Sequence, residues 1–225
     1  MTLRILALLA LLVPGVTLAQ LDRLSNQDAV AGLKAALEKG ASVAVASLGR
    51  NDGFFGNPQV KIPLPDSLKA ADRLLRGVGM GKYSDELVLT MNRAAEAAVP
   101  EAKALFIQAV KNMSVQDAKG ILSGGNTAGT EYFKRATSEQ LRAKFLPIVK
   151  NATQKVALAQ KVNEYADRGA KFGLVKKEVA NLDGYVTQKA LDGLFFMVAE
   201  EEKKIRANPV QAGSDLLKKV FGALK

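Results

Sequence analysis

Cysteine, histidine and tryptophan are all absent from the sequence. Without Cys there can be no disulfide, and without Cys or His the Ser–His and Cys–His nucleophilic systems and the usual zinc sites are excluded. Aromatic residues make up only 6% of the chain. Strand signals are nearly absent outside residues 59–62, and no stretch beyond the first 19 residues is long and apolar enough to span a bilayer. Gly77-Val78-Gly79-Met80-Gly81-Lys82 is Gly-rich. It lacks the spacing of a phosphate-cradling loop and does not follow a strand, so it reads as a flexible joint between two helices. No catalytic residue, metal ligand or cofactor motif is assigned.

What is present begins with a leader. Arg4 gives a basic start, Ile5–Val13 an apolar run, and Thr17-Leu18-Ala19 a small-residue end suited to cleavage before Gln20. Residues 1–19 therefore read as a signal peptide and residues 20–225 as one helical domain, expected in a bacterial periplasm. An exported chain without disulfides must rest on its core alone, and one of this length can do so. The formal charge is +10, one less without Arg4. Export makes nucleic acid an unlooked-for partner, leaving anionic headgroups, lipopolysaccharide or a plain solvated basic surface.

The stretch Leu182–Pro209 organises the rest. Val186, Ala190, Leu194, Val198 and Ile205 recur at helical spacing, and Leu191, Phe195, Phe196 and Met197 widen the stripe until the middle is apolar almost all round. Asp183 is read as its N-cap and Pro209 as its end, with the helix at about 183–206. Such a helix, roughly 36 Å long, must be covered on every side. The fold expected is all-α, a single-domain irregular helical bundle around this central C-terminal helix.

Upstream, Ser25 or Asn26 caps a first helix whose face is Val30, Leu33, Leu37, Ala41, Ala44 and Leu48, with Gly49 as its stop. Residues 49–66, GRNDGFFGNPQVKIPLPD, form one long Gly/Pro-rich loop, with a short extended segment at Gln59–Ile62. Asp66 caps a second helix, and helix resumes near Ser84. Pro100 suits the first turn of the next, which buries Leu105, Phe106, Ala109 and Val110. Ser114 with Asp117 caps a short helix ending near Leu122, and Gly124-Gly125-Asn126 turns the chain. Thr130–Ala136 reads as a short helix. Thr137 and Gln140 read as the capping box of a long one, kinked or restarted near Leu146 by Pro147 and running through Val156 to Tyr165. A linker from Gly169 to Asn181 leads into the central helix, and Ser214 caps a tail helix with Leu216, Leu217, Val220 and Phe221.

Taken together, the phrases DGFFGNPQVKIPLP (52–65), MNRAAEAAVPEAK (91–103), KALDGLFFMVAEEEKKIRANP and DLLKKVFG resemble the bacterial domain-of-unknown-function family 4197. The likeness extends over essentially the whole chain after the leader. It implies an exported, largely helical protein and supplies no catalytic residue.

Two groups of residues stand out. Asp52, Phe54, Phe55, Asn57 and Lys61 form the preferred partner surface, because loop aromatics can anchor an apolar groove or a membrane interface while Lys61 adds charge attraction. The competing reading makes both rings plugs of the bundle. Asn92, Arg93 and Glu96 read as a structural polar network fixing how helices dock. Glu200, Glu201 and Glu202 followed by Lys203, Lys204 and Arg206 read as a solvated face, with i, i+4 pairs Glu200–Lys204 and Glu202–Arg206. The leading function is a non-enzymatic periplasmic binding or interaction protein for an apolar or lipid-like ligand. The second reading is a basic protein associating with anionic envelope surfaces, and the most remote is a carboxylate-based hydrolase.

Overall fold

Alanine and glycine on one face of the first helix set how closely its neighbours approach. The computed structural model describes residues 26–155 and 181–208. Helix α1 spans Asn26–Leu48 and buries Leu33, Ala36, Leu37, Ala41, Ala44, Val45 and Leu48. A Cβ on Gly40 would stand 3.3 Å from Ile205 Cδ1, so the missing side chain lets the C-terminal helix lie close. Helix α2 (Lys69–Gly77) follows a 3-10 turn at Asp66–Leu68, and α3 spans Lys82–Ala98. A second 3-10 turn, Val99–Glu101, holds Pro100 and joins α3 to α4 (Ala102–Lys111). Helices α5 (Val115–Ser123), α6 (Ala128–Thr153) and α7 (Leu182–Ala207) complete the described chain. No strand occurs among the described residues. The leader, the stretch from Val156 through the linker, and the tail helix with Ser214, Leu216, Leu217, Val220 and Phe221 lie outside them.

The all-α bundle around α7 stands as expected from the sequence. Helix α7 packs against α1, α3 and α6, and α6 also packs against α3 and α4. Phe106 links these layers, its ring centroid 4.6 Å from Phe133 and 6.1 Å from Phe195. Cover around α7 is nevertheless incomplete. Phe195 is buried, whereas Phe196 remains 38% exposed. Phe196 shares an outward stripe with Asp192 and Lys203, at helical spacing, so the apolar arc is wide but does not close.

Local signals divide into those the structure keeps and those it overrides. Ser114 and Asp117 form a complete capping box at α5. Thr137 does not start a helix: α6 runs through it, and its hydroxyl donates to Phe133 O four residues back at 2.7 Å. Pro147 lies inside α6, whose helical span continues to Thr153. Helix α7 is capped by Asn181, whose Oδ1 accepts from Gly184 N at 3.1 Å. Asp183 instead points inward and accepts from Thr153 Oγ1 at 2.6 Å. Asp66 caps nothing, since it lies within the 3-10 turn and pairs with Lys69 at 2.7 Å.

The larger correction concerns the acidic run. Glu200 and Glu201 pair outward with Lys203 and Lys204 at i, i+3 spacing. Glu202 turns into the protein and is buried. Its carboxylate accepts from Gly129 N at 2.9 Å, Thr130 N at 2.8 Å and Thr130 Oγ1 at 2.8 Å. It thus serves as the missing cap of α6, where the orphan N–H groups and the helix dipole favour a negative charge. Arg206 pairs with Glu202 at 2.9 Å and donates to Ile121 O at 3.0 Å, near the end of α5. One ion pair on α7 therefore holds both sides of the α5–α6 turn. A Cβ on Gly129 would lie 2.4 Å from Leu37 Cδ2 and 3.1 Å from Glu202 Oε1, so the glycine leaves the room that Leu37 and the carboxylate share.

Candidate functional site

The Gly/Pro-rich loop is pinned to the bundle at its first half and opens into a groove at its second. Residues 51–56 make a tight turn. Asp52 adopts φ +62°, a left-handed conformation that Asp tolerates better than most residues. A Cβ on Gly53 would sit 2.3 Å from Leu48 O. Phe54 is 0% exposed and fits against Gly193 of α7, where a Cβ would stand 2.7 Å from its ring. Phe55, by contrast, is half-buried. Lys61 Nζ lies 4.0 Å above the Phe55 ring and the Arg93 guanidinium carbon 5.7 Å from it.

The polar residues of α3 explain this seating. Glu96 Oε1 accepts from Phe54 N at 3.0 Å and Phe55 N at 3.1 Å. Arg93 donates to Glu96 Oε2 at 2.6 Å and to Asp52 Oδ1 at 2.7 Å. These two hydrogen bonds, Glu96 first, raise the Arg93 pKa. Asn92 receives Ile62 N at 2.8 Å on its Oδ1 and donates to Ile62 O at 2.9 Å and Val88 O at 2.8 Å. Its carboxamide takes the place of a neighbouring strand, so the extended segment at 59–62 is satisfied without a sheet. Asn57 Oδ1 accepts from Gln59 N at 3.1 Å, and Asn57 O accepts from Lys61 N at 2.9 Å. The Tyr185 hydroxyl donates to Pro63 O at 3.0 Å, and burial pushes its pKa up.

The structure thus separates the expected partner surface. Phe54 is a core plug and offers nothing to a partner, because Glu96 holds its backbone and Gly193 makes room for its ring. Asp52 and Asn57 are engaged in the turn itself. Phe55 and Lys61 stay accessible, and Lys61 faces a groove of about 770 Å³ lined also by Leu64, Lys69, Asp72, Arg73 and Val88.

The electrostatics of this groove are positive. Lys69 holds the Asp66 carboxyl below its usual range by a hydrogen bond and by its charge, with Lys189 adding to the effect. Asp72 is held low by Ser84 and then Arg76, and Arg76 also pairs with Asp85. Asp72, the carboxylate that lines the groove, is therefore already paired with Arg76, and Asp66 with Lys69. No ion pair engages Lys61 or Arg73 among the described residues. Lys69, Arg73 and the groove went unmarked in the sequence, where only the basic residues spaced along 69–76 hinted at them.

The apolar pocket between α1 and α7, lined by Leu33, Leu37, Phe133, Val198 and Ile205, has a volume of about 10 Å³. Among the described residues no three acidic, His or Cys side chains are grouped to hold a metal ion, and no helix is long and apolar enough to cross a membrane. A family model described as a protein of unknown function, DUF4197, matches residues 23–222. No curated protein and no solved structure gives a significant match.

Proposed function

The chain belongs to the DUF4197 family, and because that membership brings no activity with it, we propose a function from the groove: a non-enzymatic exported protein that associates with anionic envelope surfaces. The observation that carries this reading is the convergence of Lys61 and Arg73, with Lys69 paired to Asp66 beside them, on one open groove of about 770 Å³ whose lining carboxylate, Asp72, is already paired with Arg76. An open cationic groove suits anionic headgroups or phosphorylated glycans, which need charge and access rather than enclosure. The leader-like Met1–Ala19 supports export, and the overall charge of +10 supports an acidic partner. An apolar ligand held inside the bundle has less support, because the pocket between α1 and α7 offers about 10 Å³, far below the several hundred Å³ a lipid chain requires.

Co-sedimentation with vesicles tests this. The protein binds vesicles containing anionic lipid at low salt and releases them at high salt. The double variant Lys61→Glu, Arg73→Glu loses about tenfold or more in affinity, on the scale of about 1 kcal/mol per basic residue at a membrane surface. Both residues are exposed, so folding is unaffected. Binding that ignores salt and lipid charge, or a double variant that binds like the parent, overturns the proposal.

A further inference from the structure

Helix α2 leaves an apolar edge outside. It contains no buried residue. The side turned to the protein carries Asp72 between the half-buried Leu68 and Leu75: Asp72 Oδ1 is shielded from solvent, Arg76 pairs with Asp72 and with Asp85, and Ser84 of α3 is buried. A second apolar edge faces water. Leu74 and Val78 are 75% and 71% exposed, and Met80 is 42% exposed. Ala71, Leu74 and Val78 fall at i, i+3 and i+7, one continuous stripe on the helix and its last turn. An amphipathic helix in a folded domain ordinarily turns its apolar face inward. Here Leu68 and Leu75 take the inward side, and Leu74 and Val78 are left outside.

The surroundings fit a specific occupant. Lys69 and Arg73 lie along the same helix, and Lys82 lies 5.3 Å above the ring of the exposed Tyr83 just beyond it. Basic residues and a tyrosine bordering an apolar stripe match the interfacial region of an anionic bilayer, where rings and ammonium groups sit at headgroup depth. The tail after Pro209 carries Lys218, Lys219 and Lys225 and offers no better charge match. The joint that follows α2 leaves room for the helix to adjust: Gly79 has φ +76°, and a Cβ on Gly77 or Gly79 would meet nothing within 4 Å.

We propose that the arm formed by α2 and the Gly77–Gly81 joint inserts Leu74, Val78 and Met80 into the interface of an anionic lipid membrane. This rests on the groove reading, deepens it from anionic surfaces to a lipid bilayer, and can fail without it. The groove supplies attraction and the arm supplies depth.

The chain has no Cys, so Leu74→Cys gives a single attachment point for an environment-sensitive fluorophore. On vesicles containing anionic lipid the probe shifts to the blue and is quenched by lipids brominated on their acyl chains. On vesicles of zwitterionic lipid alone it does neither. The variant Leu74→Ser, Val78→Ser loses about tenfold or more in vesicle affinity, from the apolar surface no longer buried. Its low-salt binding to inorganic polyphosphate, which reads the groove alone, is unchanged. A probe that stays aqueous on vesicle-bound protein overturns the arm and leaves the groove standing. So does a serine variant that binds vesicles like the parent, or a Leu74–Val78 stripe found covered in a solution dimer. Loss of polyphosphate and vesicle binding alike in the unmodified protein overturns both.

Discussion

A carboxylate buried in a helical core is tolerable only where donors converge on it, and both Glu96 and Glu202 meet that condition with two backbone N–H groups and an arginine each. Removing Glu202 would take from Arg206 its carboxylate on α7 and from the first N–H groups of α6 their acceptor. Glu202→Ala is expected to destabilise the protein by about 3 kcal/mol or more. Glu202→Gln, which keeps an oxygen acceptor, loses less. Glu200→Ala, which breaks only the exposed pair with Lys203, costs under about 1 kcal/mol. Urea unfolding of the three variants checks the order, and equal losses for Glu200 and Glu202 would contradict the clamp. In the sequence these residues are neighbours in one charged run. Arg206 marks a local pair for Glu202, but nothing local marks its burial, because its backbone donors lie 73 and 72 residues away. Asn92 and Glu96 were easier to single out, since polar residues among Ala94, Ala95 and Ala98 on one helix imply a buried network.

At the scale of elements, α7 is the post against which the loop is seated, and Gly193 is the socket for Phe54. Replacing it with alanine gains helix propensity of about 1 kcal/mol. It also forces a Cβ to within 2.7 Å of the Phe54 ring and 3.2 Å of Val60 Cβ. Overpacking of this kind costs about 1–3 kcal/mol, so Gly193→Ala comes out neutral to destabilising and Gly193→Val clearly destabilising. Phe54→Leu in the same chain should relieve part of that loss, a coupling that thermal unfolding of the single and double variants measures. If the effects simply add, the ring does not occupy the socket. The helices themselves were legible wherever apolar spacing is long and regular, as in α1 and α7, and where a capping box is complete, as at Ser114–Asp117. Caps misled where another partner competed. Asp183 was taken by Thr153, and Thr137 found its own helix's carbonyl at Phe133. The orientation of α2 was illegible for a related reason: apolar residues lie on two of its edges, and periodicity alone does not say that Leu68 and Leu75 turn inward while Leu74 and Val78 stay outside.

Across the whole molecule, the apolar surface is distributed unevenly. Between α1, α3, α4, α6 and α7 it is closed to water, with Phe54, Phe106, Phe133 and Phe145 fully buried. At the edge formed by residues 57–83 the protein offers a cationic groove and an exposed apolar stripe side by side. Stability rests on the first region, and the proposed partner contact on the second. Hydrogen–deuterium exchange of the full chain, with and without vesicles containing anionic lipid, separates the two in one experiment. The result expected is slower exchange across residues 66–83 on vesicle binding, while the amides of α7 keep the rates they have in solution. Slowing confined to other helices, with residues 66–83 exchanging as they do in free protein, would contradict the account.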